Sequence, residues 1–370
     1  MTLNPIAYPR RRFVRHSLRM VGRLGLPLLA KVQITGKENF PESGPLIVVG
    51  NHTAAMEVVL MTLYSPWLIE YLGSTDIPHE PYIAAFINAY GMIAVHRGAV
   101  SRSAMRAALG ILHQGGVLGL FPEGGIWEPT IQRAQTGVAW LSYHAQAPIL
   151  PIGFGSMRGT LHEMFRLQHP SMQMHVGRPL PPVTLSSTMP RKAALEEAAM
   201  QVMDAIWKLV PEEDRPQKSD IEQEQFAFHI HALDSHGENR SIPHELAMLH
   251  GAALSKFIHR ATLFSNLRDN LQLPIQPLRE LHTHPSTQSI QEAASAIVNY
   301  LRDENPYYFT YRYGPKEGYA MGEGARELLQ LSNWALARQL QLRAKAIRSY
   351  QRAGSDTIII EDKPEETDKW

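Results

Sequence analysis

Short apolar runs closed by glycine, proline or asparagine recur along the first half of the chain, each followed by a segment with helical spacing. Leu46-Ile47-Val48-Val49 is the first, ended by Gly50 and Asn51, and residues 53–60 then read as the start of a helix. Gly91-Met92-Ile93-Ala94-Val95 predicts a short strand, Val117-Leu118-Gly119-Leu120-Phe121 a second, and residues 147–154 a third bracketed by Pro148 and Pro151. Between them, Ser101 and Ser103 can cap a helix whose Ala104, Ala107, Ala108, Ile111 and Leu112 share a face and which Gly115-Gly116 ends. Val138, Leu141 and Tyr143 belong to another helix; residues 193–209 form a further one, with Leu195, Ala198, Ala199, Val202, Met203 and Ile206 on one side. This alternation predicts an α/β fold, a hydrophobic sheet flanked by helices. The polar, proline-flanked stretch 211–220 marks a boundary, giving a main domain over 36–215 and an accessory domain over 216–355. The accessory domain reads as mainly helical, over 243–267, 286–303 and 325–352, and 356–370 as a disordered tail.

Charge changes the picture at the N-terminus. The whole 370-residue chain has a net charge of +1, so nothing global argues for nucleic acid. Yet Arg10, Arg11, Arg12, Arg15, Arg19, Arg23, Lys31 and Lys37 all precede the first acidic residue, Glu38. The arginines at 11, 15, 19 and 23 recur every fourth residue and form a basic face on a helix within 1–35. Such a helix fits the headgroup layer of an anionic membrane, where each cation contributes about 1 kcal/mol. The apolar run over 24–30 contains Pro27 and is far too short to span a bilayer. An ordinary packing helix and a targeting segment are the alternatives. The chain has no cysteine, which removes disulfides, thiolate zinc sites and a thioester-linked enzyme intermediate and fits a reducing compartment.

The most informative chemistry is His52 followed by Glu57 at the exit of an apolar strand. Sites form at strand ends in α/β sheets, and an imidazole backed by a carboxylate can take a proton from a hydroxyl. By itself the pair is equally a contact that caps a helix. Arg97 follows the strand over 91–95, and Pro122-Glu123-Gly124-Gly125 breaks the one over 117–121. A guanidinium grips an anionic headgroup through paired hydrogen bonds, and glycines let backbone amides approach an anion. A solvated arginine and a tight turn with an exposed carboxylate are the structural counterparts of these readings.

In order and spacing, four blocks resemble the glycerolipid acyltransferase family, the 1-acylglycerol-3-phosphate acyltransferases and their relatives. They are Asn51-His52 with Glu57, Gly91-x-Ile93-x-x-x-Arg97, Phe121-Pro122-Glu123-Gly124, and the strand through Pro148 and Pro151. Gly36-Lys37-Glu38-Asn39-Phe40-Pro41 and Met174-His175-Val176-Gly177-Arg178-Pro179-Leu180 resemble the family's flanks, and the likeness covers roughly residues 10 to 215. The resemblance implies acyl transfer from acyl-CoA or acyl carrier protein to the hydroxyl of a lysophospholipid, 1-acylglycerol-3-phosphate foremost. His52 would be the base and Glu57 its orienting acid. Asn51, Arg97, Glu123, Gly124, Gly125 and Pro151 would contact substrate, although Pro151 is equally a structural residue. No metal or other cofactor is implied, since the donor thioester is already activated. The family works at membranes through N-terminal helices, which implies a peripheral protein on the cytoplasmic face of the cell membrane, with the anionic surface, the lysolipid and the acyl donor as partners.

The chain departs from the pattern in two places. Glu57 stands where the family usually has aspartate, although the related lipid A late acyltransferases carry glutamate at the same spacing, and Gly125-Ile126-Trp127 and Gln135-Thr136 replace residues that are usually basic or hydroxylated. The missing cations raise a second reading, the same chemistry on a non-phosphate lipid alcohol. A catalytically silent lipid-binding protein is a third. No Gly-x-Ser-x-Gly elbow is present, against a serine hydrolase. His229-x-His231 and His282-x-His284 lack acidic partners at metal-site spacing, the tyrosines of 307–313 read as core or partner surface, and Gly314, Gly318, Gly322 and Gly324 read as turns.

Overall fold

The computed structural model describes residues 6–74, 81–95, 102–124, 134–185, 189–215 and 221–364. Helix α1 (Arg12–Leu29) leads into β1 (Lys31–Thr35), β2 (Leu46–Gly50), α2 (Met56–Tyr64), β3 (Ile69–Ser74), α3 (Pro81–Tyr90) and β4 (Ile93–Val95). Then come α4 (Arg102–His113), β5 (Val117–Leu120), α5 (Gly137–Ala145), β6 (Ile149–Gly155), α6 (Thr160–Phe165), β7 (Ser171–Val176) and α7 (Arg191–Trp207). The strands form one seven-stranded sheet in the order β1-β7-β6-β2-β5-β3-β4. It is mixed: only the β6–β7 pair is antiparallel, so β1 and β7 run against the other five. β2 is buried along its whole length. Leu46 and Val48 join the apolar cluster on one face of the sheet, Ile47 and Val49 the cluster on the other. That is why its sequence reads as a continuous hydrophobic run.

Proline in the central strand β6 needs a reason, because it cannot donate to a ladder. Val176 pairs with Ile152 while Leu180 bridges Ile149, so four steps of one segment oppose three of the other. Pro151 lies opposite this bulge, its carbonyl accepting from Gly177 N at 2.9 Å.

Helix α1 is inverted relative to the sequence expectation. The arginine stripe expected to face lipid headgroups faces the protein instead. Arg15 is wholly buried, pairs with the wholly buried Glu70 of β3 (2.5 and 2.8 Å), and donates to Tyr90 O and Gly91 O at the end of α3. Arg10 adds a second guanidinium to Glu70 at 2.7 Å. Arg19 and Arg23 donate to Ser65 O and Leu63 O at the end of α2, and Arg11 to Asn88 O and Ala89 O. Carbonyls at a helix C-terminus lack intrahelical donors and carry partial negative charge, so a guanidinium there satisfies both demands. With the cations turned inward, Phe13 (85 % exposed), Met20, Val21, Leu24 and Leu28 are left on the surface. Burial alone would raise the Glu70 pKa, but hydrogen bonds from Arg15 and Arg10 outweigh it and hold the carboxyl below its ordinary value.

Beyond the boundary stretch the chain builds β8 (Ile221–Leu233), β9 (Asn239–Arg240), α8 (Gly251–His259), α9 (Ala261–Ser265), α10 (Thr287–Asp303), α11 (Tyr308–Ala337), β10 (Gln341–Arg352) and β11 (Ile358–Glu361). These strands form a four-stranded antiparallel sheet, β11-β10-β8-β9, and the buried side chains of this part form their own cluster. The helical expectation holds for α8 to α11 but missed this sheet, and residues 341–352, expected to be helical, form β10. Residues 341–352 are rich in helix formers, but Leu342, Ala344, Ala346 and Tyr350 alternate inward, and that two-residue period outweighs propensity. Part of the expected disordered tail is likewise the edge strand β11. The glycines at 318, 322 and 324 lie inside α11 rather than in turns; only Gly314, at φ 82°, interrupts that helix.

Removing one partner of a buried ion pair typically costs about 3–5 kcal/mol. Glu70→Ala is expected to lower the unfolding free energy by about that amount, and Glu70→Ala with Arg15→Met to recover part of it. Urea denaturation of the three proteins checks this; an unchanged midpoint in the single variant would remove Glu70 as the anchor of α1.

Candidate active site

β2 and β5 are adjacent and parallel, so the loops leaving their carboxyl ends lie side by side. The first carries Asn51 and His52, the second Phe121 and Glu123. This is the crevice position expected of a site in an α/β sheet.

Asn51, expected to contact substrate, is instead a buried clamp between strand ends. Its amide donates to Phe154 O at 3.0 Å, and its carbonyl accepts from Phe154 N at 2.8 Å. Gly50 beside it allows the approach, since a Cβ there would lie 2.6 Å from the Phe154 ring. The clamp fixes where the next residue, His52, leaves the sheet.

Glu57 sits in the first turn of α2 and is wholly buried. Its Oε1 accepts from Thr53 N (2.8 Å), Thr53 Oγ1 (2.7 Å) and Ala54 N (2.8 Å), and its Oε2 also accepts from Ala54 N (3.0 Å). A carboxylate reaching back to free amides at a helix N-terminus is a capping interaction, favoured by the helix dipole. The same Oε2 lies 3.6 Å from His52 Nδ1. The capping reading of the pair is thus seen directly, with the imidazole close by. The extra methylene of glutamate over aspartate gives the reach this geometry uses.

His52 keeps 17 % of its side chain exposed, while its Nδ1 is buried with no hydrogen-bond partner. At 3.6 Å the contact with Glu57 is longer than a hydrogen bond; such contacts commonly tighten only when substrate binds. The imidazole stacks on Phe121, with ring centroids 4.2 Å apart and planes 18° from parallel. Its backbone N–H donates to Glu123 Oε1 at 3.2 Å.

Glu123 is 4 % exposed. Burial, opposed by the His52 amide and reinforced by the charge of Glu57, pushes its pKa up to about 8. Gly124 closes the turn, at φ 75° and with its N–H donating to Phe121 O at 3.0 Å. Pro151 is buried in β6. Arg97 and Gly125 lie outside the described residues. Two contacts at the site escape the sequence reading: Thr53, which holds the Glu57 carboxylate, and the ring of Phe121, which stacks on His52.

Residues 31–155, which hold this site, match the Acyltransferase family model. The chain is similar to two proteins named 1-acyl-sn-glycerol-3-phosphate acyltransferase, and spans less than half the length of the first. It is 33 % identical over 99 residues to the Borreliella burgdorferi protein of that name, covering 25 % of this chain and 38 % of that one. It is 22 % identical over 194 residues to the Bacillus subtilis protein of the same name, covering 51 % of this chain and 93 % of that one. The solved 1-acyl-sn-glycerophosphate acyltransferase of Thermotoga maritima aligns with a TM-score of 0.38 at 22 % identity, over 52 % of this chain and 80 % of that one.

A carboxyl whose pKa rises on folding holds its proton in the native state after the unfolded chain has lost it. Glu123 therefore costs stability as pH rises from its ordinary value toward about 8, by about 1.4 kcal/mol per unit across that window. Glu123→Gln, which stays neutral, is expected to melt above wild type at pH 8–9 and to lose that advantage at pH 4–5. Parallel melting curves that do not converge at low pH would refute this.

Proposed function

We propose that this protein is a peripheral membrane O-acyltransferase. It moves a fatty acyl group from acyl-CoA or acyl carrier protein to the free hydroxyl of a lysophospholipid, 1-acylglycerol-3-phosphate foremost, giving phosphatidic acid. The observation that carries this is the carboxylate of Glu57, locked by a helix N-terminus behind the half-open ring of His52. In the reaction, His52 removes the acceptor hydroxyl proton as the oxygen attacks the thioester carbonyl. The tetrahedral oxyanion collapses, the carbon–sulfur bond breaks, and the leaving thiolate takes the proton back from the imidazolium. Glu57 stabilises the imidazolium and fixes the ring, the role of the acid in a triad. No metal or other cofactor is needed for these steps. Arg97 is assigned to the acceptor phosphate.

The exposed apolar face of α1 supports membrane contact, at the cytoplasmic face of the cell membrane. Burying a side chain such as Phe13, Leu24 or Leu28 in lipid contributes about 1.5–3 kcal/mol, and among the described residues no helix is long and apolar enough to cross a membrane. The absence of basic residues over 125–127 and at 135–136 favours, as a second reading, an acceptor without a phosphate.

Acyl transfer from labelled acyl-CoA to lysophosphatidic acid in anionic liposomes tests both readings. His52→Ala is expected to lower kcat by about 10²–10⁴-fold, and Arg97→Ala to raise the acceptor KM by about 10–100-fold. Full activity in His52→Ala would overturn the mechanism; an unmoved KM in Arg97→Ala would select the non-phosphate acceptor. Replacing Phe13, Leu24 and Leu28 together by serine is expected to abolish flotation with the same vesicles, and undiminished flotation would move the membrane contact elsewhere.

A further inference from the structure

Glu123 belongs to the block whose likeness to the acyltransferases suggests an acceptor platform, yet its geometry points inward. A carboxylate that greets an incoming headgroup has to present an oxygen to the open side of a cleft. This one is 4 % exposed, and its Oε1 accepts from the backbone N–H of His52 at 3.2 Å. The same turn lays the Phe121 ring flat on the His52 imidazole, 4.2 Å away. Gly124 lets the turn close, with its N–H on Phe121 O and its φ at 75°. One short loop thus grips the proposed base twice, by backbone and by ring.

Glu57 supports this reading from the other side. Two carboxyl groups near one another in a buried site cannot both ionise at low cost. Glu57 is held by three donors from Thr53 and Ala54. A neutral carboxyl suffices for Glu123, since accepting an amide hydrogen requires only a carbonyl oxygen.

We infer that Glu123 is a positioning residue for His52, acting through the histidine backbone as a neutral hydrogen-bond acceptor, and not a ligand of the acceptor headgroup. The inference rests on His52 being the base. Its site supplies only geometry, and a displacement of about 1 Å in a catalytic group can cost 10²-fold in rate.

Steady-state kinetics of Glu123→Ala, Glu123→Gln and Glu123→Asp, each with acceptor and donor varied, test it in the full-length protein. Alanine is expected to lower kcat by about 10²-fold with the acceptor KM within twofold of wild type. Glutamine, neutral and equal in length, is expected to recover most of that loss, and aspartate, charged and shorter, to recover little. A raised acceptor KM at unchanged kcat, or aspartate outperforming glutamine, would overturn the inference and return Glu123 to headgroup binding. Hydrogen exchange of the peptide containing His52, followed by mass spectrometry, reads the same contact without any reaction. Faster exchange in the alanine variant but not in the glutamine variant is expected; equal exchange in all of them overturns the positioning role. If the wild type transferred no acyl group to any lysolipid, the proposed function would fail while this exchange result still decided whether Glu123 holds His52.

Discussion

Glu70 has no access to water, and the arrangement of the N-terminal third depends on how its charge is met. A lone carboxylate in that position would be strongly unfavourable, so two guanidiniums must reach it. Arg15 can do so only if α1 lies across the ends of α2 and α3 with its arginine side down. Once that side is down, Phe13, Leu24 and Leu28 have nowhere to go but outward. The apolar surface of α1 thus follows from an electrostatic requirement in the interior, reversing the usual order in which hydrophobic burial places the charges. Gly22 makes the docking close: a Cβ there would sit 2.5 Å from Leu63.

The active-site region shows the same economy. Asn51 ties β2 to β6, Glu57 caps α2 while backing His52, and the turn after β5 presses a ring and a carboxyl against the same histidine. Apart from the stacked ring, each contact is made to backbone at a strand or helix end. A catalytic group held in this way needs little reorganisation when substrate arrives, which is the physical content of preorganisation.

Much of this was legible in the sequence where the burial is simple. β2, β5 and β6 announce themselves as apolar runs because both faces of the sheet are covered. α10 begins after Ser286, whose hydroxyl accepts from Ser289 N at 3.0 Å, as a serine before a periodic segment suggests. His52 and Glu57 stood out because their spacing pairs a base with an acid across the start of a helix. What the sequence concealed is directional. Four arginines at helical spacing define a polar face, but spacing carries no information about whether that face meets water, lipid or protein. In β8 the alternation of Phe226, Phe228, Ile230 and Ala232 with polar neighbours was present, although the surrounding helix formers obscured it. The stacking of Phe121 on His52 joins residues far apart in the chain, and nothing local encodes it.

The arginine stripe has a consequence for how this protein can vary. Apart from Glu70 and the Tyr90 ring, 4.4 Å from the Arg15 guanidinium, the groups it recognises are main-chain carbonyls, at Leu63, Ser65, Trp67, Asn88, Ala89, Tyr90 and Gly91. A carbonyl is the same whatever side chain its residue bears. Substitutions at Ser65, Trp67, Asn88 and Ala89 can therefore accumulate without disturbing the dock, provided the helices still end where they do, while each arginine remains individually constrained; Leu63, Tyr90 and Gly91 meet α1 directly and are not free in this way. Among related chains such an interface would show fixed cations facing freely drifting partners, and methods that find contacts through correlated substitution would pass over it.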